Sequence, residues 1–336
     1  MKNITDKLNR PIKDLRISVM DTCNYRCPYC MPAEKFDDNY QFLKPNQRLN
    51  FDEICEVVKT FAEFGVNKIR LTGGEPLLRK NLADLISRLK NIKGIEDIAL
   101  TTNGQLLKKQ LPGLIQAGLD RVNISLDTID EDLYHKMSGF KGYLKPVLEA
   151  IDYAKSTSLK SVKLNCVVQN GVNDKEIIPL LARFQGTNVV VRFIEFMDVG
   201  TKNDWQKNNV MHFNDILQLI EAKWPLQAIN PNYKGEVASR YKYRNHSGEI
   251  GFITSISKPF CRDCSRARLS ADGKLYTCLF AHKAYDLKSH LRNNSNDTLK
   301  TYIKNVWQNR DDRYSEIRHE IKDSNTNKIE MYVIGG

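Results

Sequence analysis

No run in this chain approaches the roughly 18 apolar residues of a membrane-spanning helix, which excludes a helical membrane protein. The first residues, MKNITDKLNRPIKD, lack an apolar core, so no secretory signal is expected and the cytoplasm is the expected compartment. Low-complexity tracts are absent, and so is any internal repeat beyond the strand–helix alternation described below. A net charge of +11 points to an anionic partner, whether nucleic acid, a membrane surface or a small polyanion. Yet there are no long poly-basic runs, and no stripe interleaves basic residues with aromatics as a single-stranded nucleic-acid groove does. No membrane and no nucleic-acid partner is therefore expected. Finally, the chain's cysteine clusters each stop at three, one short of the four ligands of a structural zinc site or an ordinary iron–sulfur centre.

What is present is a globular composition, with 41% hydrophobic and 9% aromatic residues in 336. At about 150 residues per domain, two domains are expected. The pattern divides them at residues 1–205 and 206–336. Six of the eight cysteines fall into two triplets, Cys23, Cys27 and Cys30 (C-x3-C-x2-C) and Cys261, Cys264 and Cys278 (C-x2-C-x13-C). Disulfides are rare in the cytoplasm, so clustered cysteines read as metal-binding or catalytic. Cys55 and Cys166 stand alone in apolar segments and read as buried structural thiols.

From residue 15 to about 200 strands and helices alternate. LRISVM, KIRLT, IALTT, RVNISLD, VKLNCVV and VVVRFIEF read as strands, and the segments between carry apolar residues at helical spacing. Asn50 with Glu53 three residues on marks one helix start. Such alternation implies parallel strands with crossover helices, and six units imply an α/β fold of the incomplete-barrel or open-sheet kind. The polar and glycine-rich stretches DTCNYRCPYC, TGGEP, TTNG, SLD and EFMDVG all fall at strand ends, where barrel proteins carry their functional groups. Beyond residue 205 the rhythm breaks into a helix at 213–223, the strand-like SRYKYRN and GEIGFITSIS, the second triplet and basic helices.

Three thiolates can hold three corners of a [4Fe–4S] cluster and leave one iron open for a small ligand. S-adenosylmethionine suits that iron, because its amino and carboxylate groups chelate, and electron transfer then cleaves its sulfonium to a 5′-deoxyadenosyl radical. Tyr29 would pack on the adenine. Zinc completed by a remote histidine is the alternative, although x3 then x2 is unusual for zinc. CxxxCxxC after strand one with TGGEP after strand two resembles the radical S-adenosylmethionine superfamily, which implies a partial (β/α)6 barrel of the TIM type. By that resemblance Gly73 and Gly74 would let backbone approach the ligand's amino group, Glu75 would hold that group or the turn, and Ser125 and Met197 would meet ribose and adenine.

For the second triplet, His282 completes a zinc-knuckle-like C-x2-C-x13-C-x3-H, and spacing alone leaves zinc open. RPIKDLRISVMDTCNYRCPYCMP, RLTGGEPLLR, VRFIEFMDVG, FCRDCSRARLSADGKLYTCLF, RDDRYSEIR and the terminal Gly-Gly together resemble the GTP 3′,8-cyclase family of molybdenum cofactor biosynthesis. Asn9 and Met20-Asp21-Thr22 depart from the usual family residues, away from the expected ligands. The resemblance implies a C-terminal α+β extension whose three cysteines hold a second [4Fe–4S] cluster facing the guanine. It also implies GTP contacts at Arg16, Arg70, Thr101, Lys163 and the Arg266–Ala267–Arg268 segment, with Arg192 a further candidate. Arg266 and Arg268 would act catalytically beside the base, and Gly335-Gly336 would reach into the site. The activity implied is cyclisation of GTP to (8S)-3′,8-cyclo-7,8-dihydroguanosine 5′-triphosphate. An external electron donor, a homodimer and the next enzyme of the pathway, cyclic pyranopterin monophosphate synthase, are the implied partners. A peptide-modifying radical enzyme with an auxiliary cluster and a metal-stabilised RNA-binding protein are the competing readings. The first normally carries more cysteines than three in that region, and the second lacks its aromatic–basic stripe.

Overall fold

The computed structural model describes residues 4–293, 296–320 and 328–335. Its first part is a run of β/α units: β1 (Asp14–Met20), α1 (Phe51–Glu63), β2 (Lys68–Gly73), α2 (Leu82–Lys90), β3 (Asp97–Thr102), α3 (Leu107–Gln116), β4 (Arg121–Ser125), α4 (Glu131–Met137), α5 (Leu144–Ala154), β5 (Ser161–Val168), α6 (Ile177–Phe184) and β6 (Val189–Glu195). Then follow α7 (Phe213–Glu221), β7 (Leu226–Ile229), β8 (Ser239–Tyr243), β9 (Glu249–Ile253), β10 (Arg266–Leu269), β11 (Lys274–Tyr276) and β12 (Tyr285–Asp286). The remaining helices are α8 (Leu287–Asn293), α9 (Asn296–Gln308), α10 (Tyr314–Ile317) and α11 (Met331–Ile334).

Local chemistry explains the elements. Asn50 and Glu53 cap α1 reciprocally, each side chain accepting the other's backbone N–H at 2.8 Å. Ile54, Val57, Val58 and Phe61 then form the stripe that α1 buries against the sheet. In β5 the period of two sorts the side chains: Val162, Leu164, Cys166 and Val168 are buried towards the helices, while Lys163, Asn165 and Val167 face the barrel lumen. Cys166 and Cys55 are buried thiols, as expected from their apolar segments.

The strands form one sheet in the order β12-β11-β10-β1-β2-β3-β4-β5-β6-β9-β8-β7. From β10 through β9 every neighbouring pair is parallel, and antiparallel hairpins finish both edges. The sheet is open, so the incomplete barrel holds. Two features were not legible in the pattern: α4, and the return of β9 and β10 to flank the six-stranded barrel in parallel. The chain between them, residues 254–265, passes from one side of the opening to the other and carries Cys261 and Cys264. No helix among the described residues is long and apolar enough to cross a membrane.

Candidate active site

A cavity of about 340 Å³ runs through the barrel and is lined by all six clustered cysteines. The two triplets sit at opposite ends. Cys23 follows the C-terminal end of β1. Cys264 precedes β10, whose first residue Arg266 pairs with Asp14 at the start of β1, so it lies at the N-terminal end. Cys278 joins it there, because β11 runs antiparallel to β10. Half of the site is thus at the face opposite the one the barrel rule indicates. The reason is that residues 254–265 cross the open side of the barrel from the end of β9 to the start of β10.

The first triplet rides on a tight loop. The N–H groups of Cys30 and Met31 both donate to the Cys27 carbonyl, at 3.0 and 2.9 Å. TGGEP locks against this loop by backbone bonds, Gly74 N–H to Met20 O at 2.8 Å and Glu75 N–H to Thr22 O at 2.9 Å. A Cβ on Gly73 would stand 2.1 Å from the Met20 carbonyl oxygen, and one on Gly74 would stand 2.3 Å from that of Thr22. The glycines are therefore required first by the neighbouring cysteine loop. Glu75 is buried and holds the turn, accepting from Leu77 N–H at 3.0 Å, Thr102 Oγ1 at 2.7 Å and Asn103 N–H at 2.8 Å. Burial pushes its carboxyl up to about 7 against these bonds. Gly74→Ala should accordingly displace the Thr22–Cys30 loop. We expect about half the iron to be lost on reconstitution, all from the first triplet, as read by iron counting and electron paramagnetic resonance.

Tyr29, Ser125 and Met197 line the cavity near this end. Tyr29 donates to Asp127 at 2.7 Å, which fixes its ring across the cavity wall, and burial pushes its phenol up. Asn103, Asp127, Tyr25 and Tyr134 also line this end and were missed in the sequence. Asn103 carried a signal, since TTNG was singled out as a strand end. Its amide donates to Asn24 at 2.8 Å and lies 4.0 Å from the Cys23 sulfur.

The second triplet is held by two buried arginines that share one carboxylate. Asp6 receives Arg10 Nε at 2.6 Å and Arg310 Nη1 at 3.2 Å. Arg10 then donates to the carbonyl of Cys261 at 2.7 Å, and Arg310 to that of Cys264 at 2.8 Å. Beside them Arg266 donates to the Cys264 sulfur at 3.4 Å and lies over the Phe260 ring. Burial raises the Cys264 thiol, but Arg266 and Arg310 outweigh it and bring it down to about 6.

The lumen between the triplets is cationic. Arg268, Arg16 and Arg70 stand in one register row on the adjacent strands β10, β1 and β2. Thr101 accepts from Arg70 at 3.3 Å, and Arg192 donates to Asn123 and Asn165 at 2.8 and 2.6 Å. Among the described residues none of Arg16, Arg70, Lys163, Arg192, Arg266 and Arg268 makes an ion pair. Burial, followed by Arg268 and Arg70, drives the Arg16 guanidinium well below its ordinary range. The Nε atoms of Arg16, Arg70 and Arg192 are buried without a hydrogen-bond partner. All six cations and Thr101 line the cavity. Ala267 does not: strand alternation turns its side chain into the core, where it is fully buried.

The C-terminal segment closes one wall. Gly335 has φ +67° and packs so tightly on Thr72 that a Cβ would meet its Cγ2 at 2.1 Å. Arg268 donates to the carbonyls of Ile334, at 3.2 Å, and Gly335. Gly336 lies outside the described residues.

Each triplet presents three soft thiolates to the cavity, a donor set that suits an iron–sulfur cluster with one iron left open. Among the described residues no three His, Cys, Asp or Glu side chains converge closely enough to hold one metal ion. A zinc site would draw its sulfurs to within about 4 Å of each other, since each sits about 2.3 Å from the ion. Cysteines on an iron–sulfur cluster each take a different iron and stand further apart.

An open parallel barrel with CxxxCxxC and TGGEP at one mouth defines a radical S-adenosylmethionine protein. The Radical SAM superfamily model matches residues 17–184, and the Molybdenum Cofactor Synthesis C model matches residues 189–316. The chain is 49% identical over 331 residues to a GTP 3′,8-cyclase of Xanthomonas axonopodis pv. citri, covering 98% of each chain. It is 48% identical over 337 residues to one of Staphylococcus epidermidis, covering 99% of each. This chain belongs to the GTP 3′,8-cyclase family. Among solved structures, methylornithine synthase superposes with a TM-score of 0.49 and 19% identity over 63% of this chain and 62% of that one, too distant a likeness to inform function.

Proposed function

We propose that this chain binds GTP between two [4Fe–4S] clusters and cyclises it to (8S)-3′,8-cyclo-7,8-dihydroguanosine 5′-triphosphate. The observation that carries the reading is the single cavity joining both cysteine triplets through a lumen of unpaired cations. With S-adenosylmethionine bound, the centre at Cys23, Cys27 and Cys30 supplies a hydrogen-abstracting radical. Tyr29, Gly74, Ser125 and Met197 orient that ligand. Arg16, Arg70, Lys163 and Arg192 hold the triphosphate, with Thr101 donating a hydrogen bond. Their exposed N–H groups are unpaired by carboxylates, and a polyanion offsets the cost of burying them together. The ribose is thereby held with C3′ toward the first triplet and the guanine toward Cys261, Cys264 and Cys278. Arg266 and Arg268 place positive charge beside the base, where charge changes during ring closure. An external electron donor, a homodimer, a cytoplasmic setting and transfer of product to cyclic pyranopterin monophosphate synthase complete the reading.

Anaerobic reconstitution with iron and sulfide tests it. About eight irons per chain and cyclised product from GTP and S-adenosylmethionine are expected. Reconstituted protein that cleaves S-adenosylmethionine but leaves GTP unchanged would refute the substrate.

The lumen also makes GTP binding pH-dependent. Burial, then Arg192 and Arg121, press the Lys163 ammonium down to about 8. A bound triphosphate favours the charged form, so binding takes up a proton once the free lysine has lost its own. Affinity should be level below pH 8 and fall above it, by up to about tenfold per pH unit. Equilibrium dialysis from pH 6.5 to 9.5 checks this. Lys163→Met should bind more weakly at neutral pH and lose the break near 8.

A further inference from the structure

The geometry points to the exposed ledge of Phe140 and Tyr143 as the docking site of an acidic one-electron carrier protein, which reduces the centre at Cys23, Cys27 and Cys30. This rests on the proposed function, because a carrier has reason to dock there only if that centre is redox-active.

The ledge is unusual in exposure and in backbone. Phe140 is 65% and Tyr143 63% exposed, the highest values among the large hydrophobic side chains described. Rings left this open mark interaction surfaces when they are grouped, and here both flank His135, with centroids at 5.2 and 6.3 Å. Phe140 also has φ +59°, a left-handed conformation that an aromatic residue rarely adopts. It is held there as α4 ends, its N–H donating to the His135 carbonyl at 2.8 Å. Nothing in the core requires a phenyl ring at that position, since the ring points to solvent. Backbone strain of this kind clusters at contact and ligand-binding sites, and here it is kept at an exposed aromatic side chain.

One end of the ledge is bonded directly to the first cysteine loop, and the other is bonded to it through Gln105. The Ser138 carbonyl accepts the N–H of Arg26, the residue before Cys27, at 3.0 Å. A Cβ on Gly139 would stand 2.1 Å from the Arg26 carbonyl oxygen, so the two segments touch through backbone. On the other side Tyr143 N–H donates to Gln105 Oε1 at 3.1 Å, and the same oxygen accepts Tyr25 Oη at 2.7 Å. A carrier seated on the ledge therefore rests against the loop that bears Cys23, Cys27 and Cys30, on the outside of the cavity wall.

Charge selects the partner. Lys136, Lys141 and Lys145 are exposed around the rings, and none of them makes an ion pair among the described residues. The nearby acids are Glu131, which accepts the Leu144 N–H beside Tyr143, Asp132, one turn before Lys136 on α4, and Glu149, which pairs with Lys108 and also attracts Lys145. Lys141 is thus the rim cation farthest from any of these acids in the chain. An apolar centre with a cationic rim, on a chain of net charge +11, fits the small and transient interface of an acidic redox protein. In the encounter the carrier loses one electron and the first centre gains it, and no atom is transferred.

The test uses reconstituted full-length enzyme, with dithionite or reduced flavodoxin as reductant. Phe140→Gly removes the ring and suits the positive φ, and Lys141→Glu reverses a rim charge. With dithionite, both variants should cleave S-adenosylmethionine at the wild-type rate, with no loss of melting temperature. Flavodoxin affinity, measured calorimetrically, should fall about tenfold in each, with a shallower salt dependence for Lys141→Glu. Equal losses with both reductants, unchanged flavodoxin binding, or a wild-type enzyme that flavodoxin does not reduce would each overturn the inference. So would a change in oligomeric state, which would make the ledge a contact between copies of this chain. Wild-type enzyme inactive with dithionite would sink the proposed function instead, while the binding measurement still reports on the ledge.

Discussion

Arg16→Met is expected to stabilise the substrate-free protein while weakening GTP binding about 100-fold. Arg16 sits mid-row between Arg268 and Arg70 on adjacent strands, which stand roughly 4.8 Å apart. Its Nε is buried without a partner, and its charge is opposed first by burial and then by Arg268, Arg70 and Arg266. Methionine keeps most of the stem's packing and removes the buried charge. Replacing buried ions by apolar groups of similar shape gains about 1 kcal/mol or more, or about 2 °C in melting temperature at this size. The same change removes a cation from a triphosphate site, where loss of a buried charge contact costs about 2–5 kcal/mol. Opposite signs in the two measurements are the signature of a residue kept for binding at a cost in stability. A lower melting temperature with unchanged GTP affinity would instead make Arg16 a structural residue.

Asp6→Ala should abolish the second cluster and spare the first. Asp6 is the only carboxylate shared by Arg10 and Arg310 among the described residues, and those two arginines hold the carbonyls of Cys261 and Cys264. All three side chains are almost fully buried. Removing the shared carboxylate leaves the Arg10 guanidinium uncompensated and Arg310 with Asp312 alone, which costs about 3–5 kcal/mol, or roughly 8 °C at this size. The cysteine loop then loses the bonds that place it beside Cys278. Iron should drop from about eight to about four per chain. Cleavage of S-adenosylmethionine should persist without cyclised GTP. Loss of both clusters together would mean that the clamp supports the whole barrel rather than this loop.

Much of this protein could be read along the chain, where the information is local. VKLNCVV alternates, so its strand and its two faces follow from a period of two, and Asn50 with Glu53 caps a helix within four residues. The cysteine triplets also carry their chemistry in their spacing. The acceptors around Glu75 were harder to see, because Thr102 and Asn103 come from the next β/α unit. Asp6, Arg10 and Arg310 gave no signal at all: an acid and two arginines at opposite ends of the chain are indistinguishable from solvated charge until they are packed together. Ala267 shows the other side of this: it sits in the arginine-rich segment, and strand alternation buries its side chain in the core while Arg266 and Arg268 line the cavity.

The sequence by itself determined the β/α order, the identity of the ligating thiols and the abundance of cations, because each depends on residue type and short-range spacing. Tertiary structure decided that these make one site. Cys261 and Cys264 reach the barrel only because residues 254–265 cross its open side, between strands that add to opposite edges of the sheet. The row Arg268–Arg16–Arg70 exists only in the register of β10, β1 and β2. Long-range strand pairing sets that register, and no local pattern in the chain encodes which distant strand a given residue will stand beside.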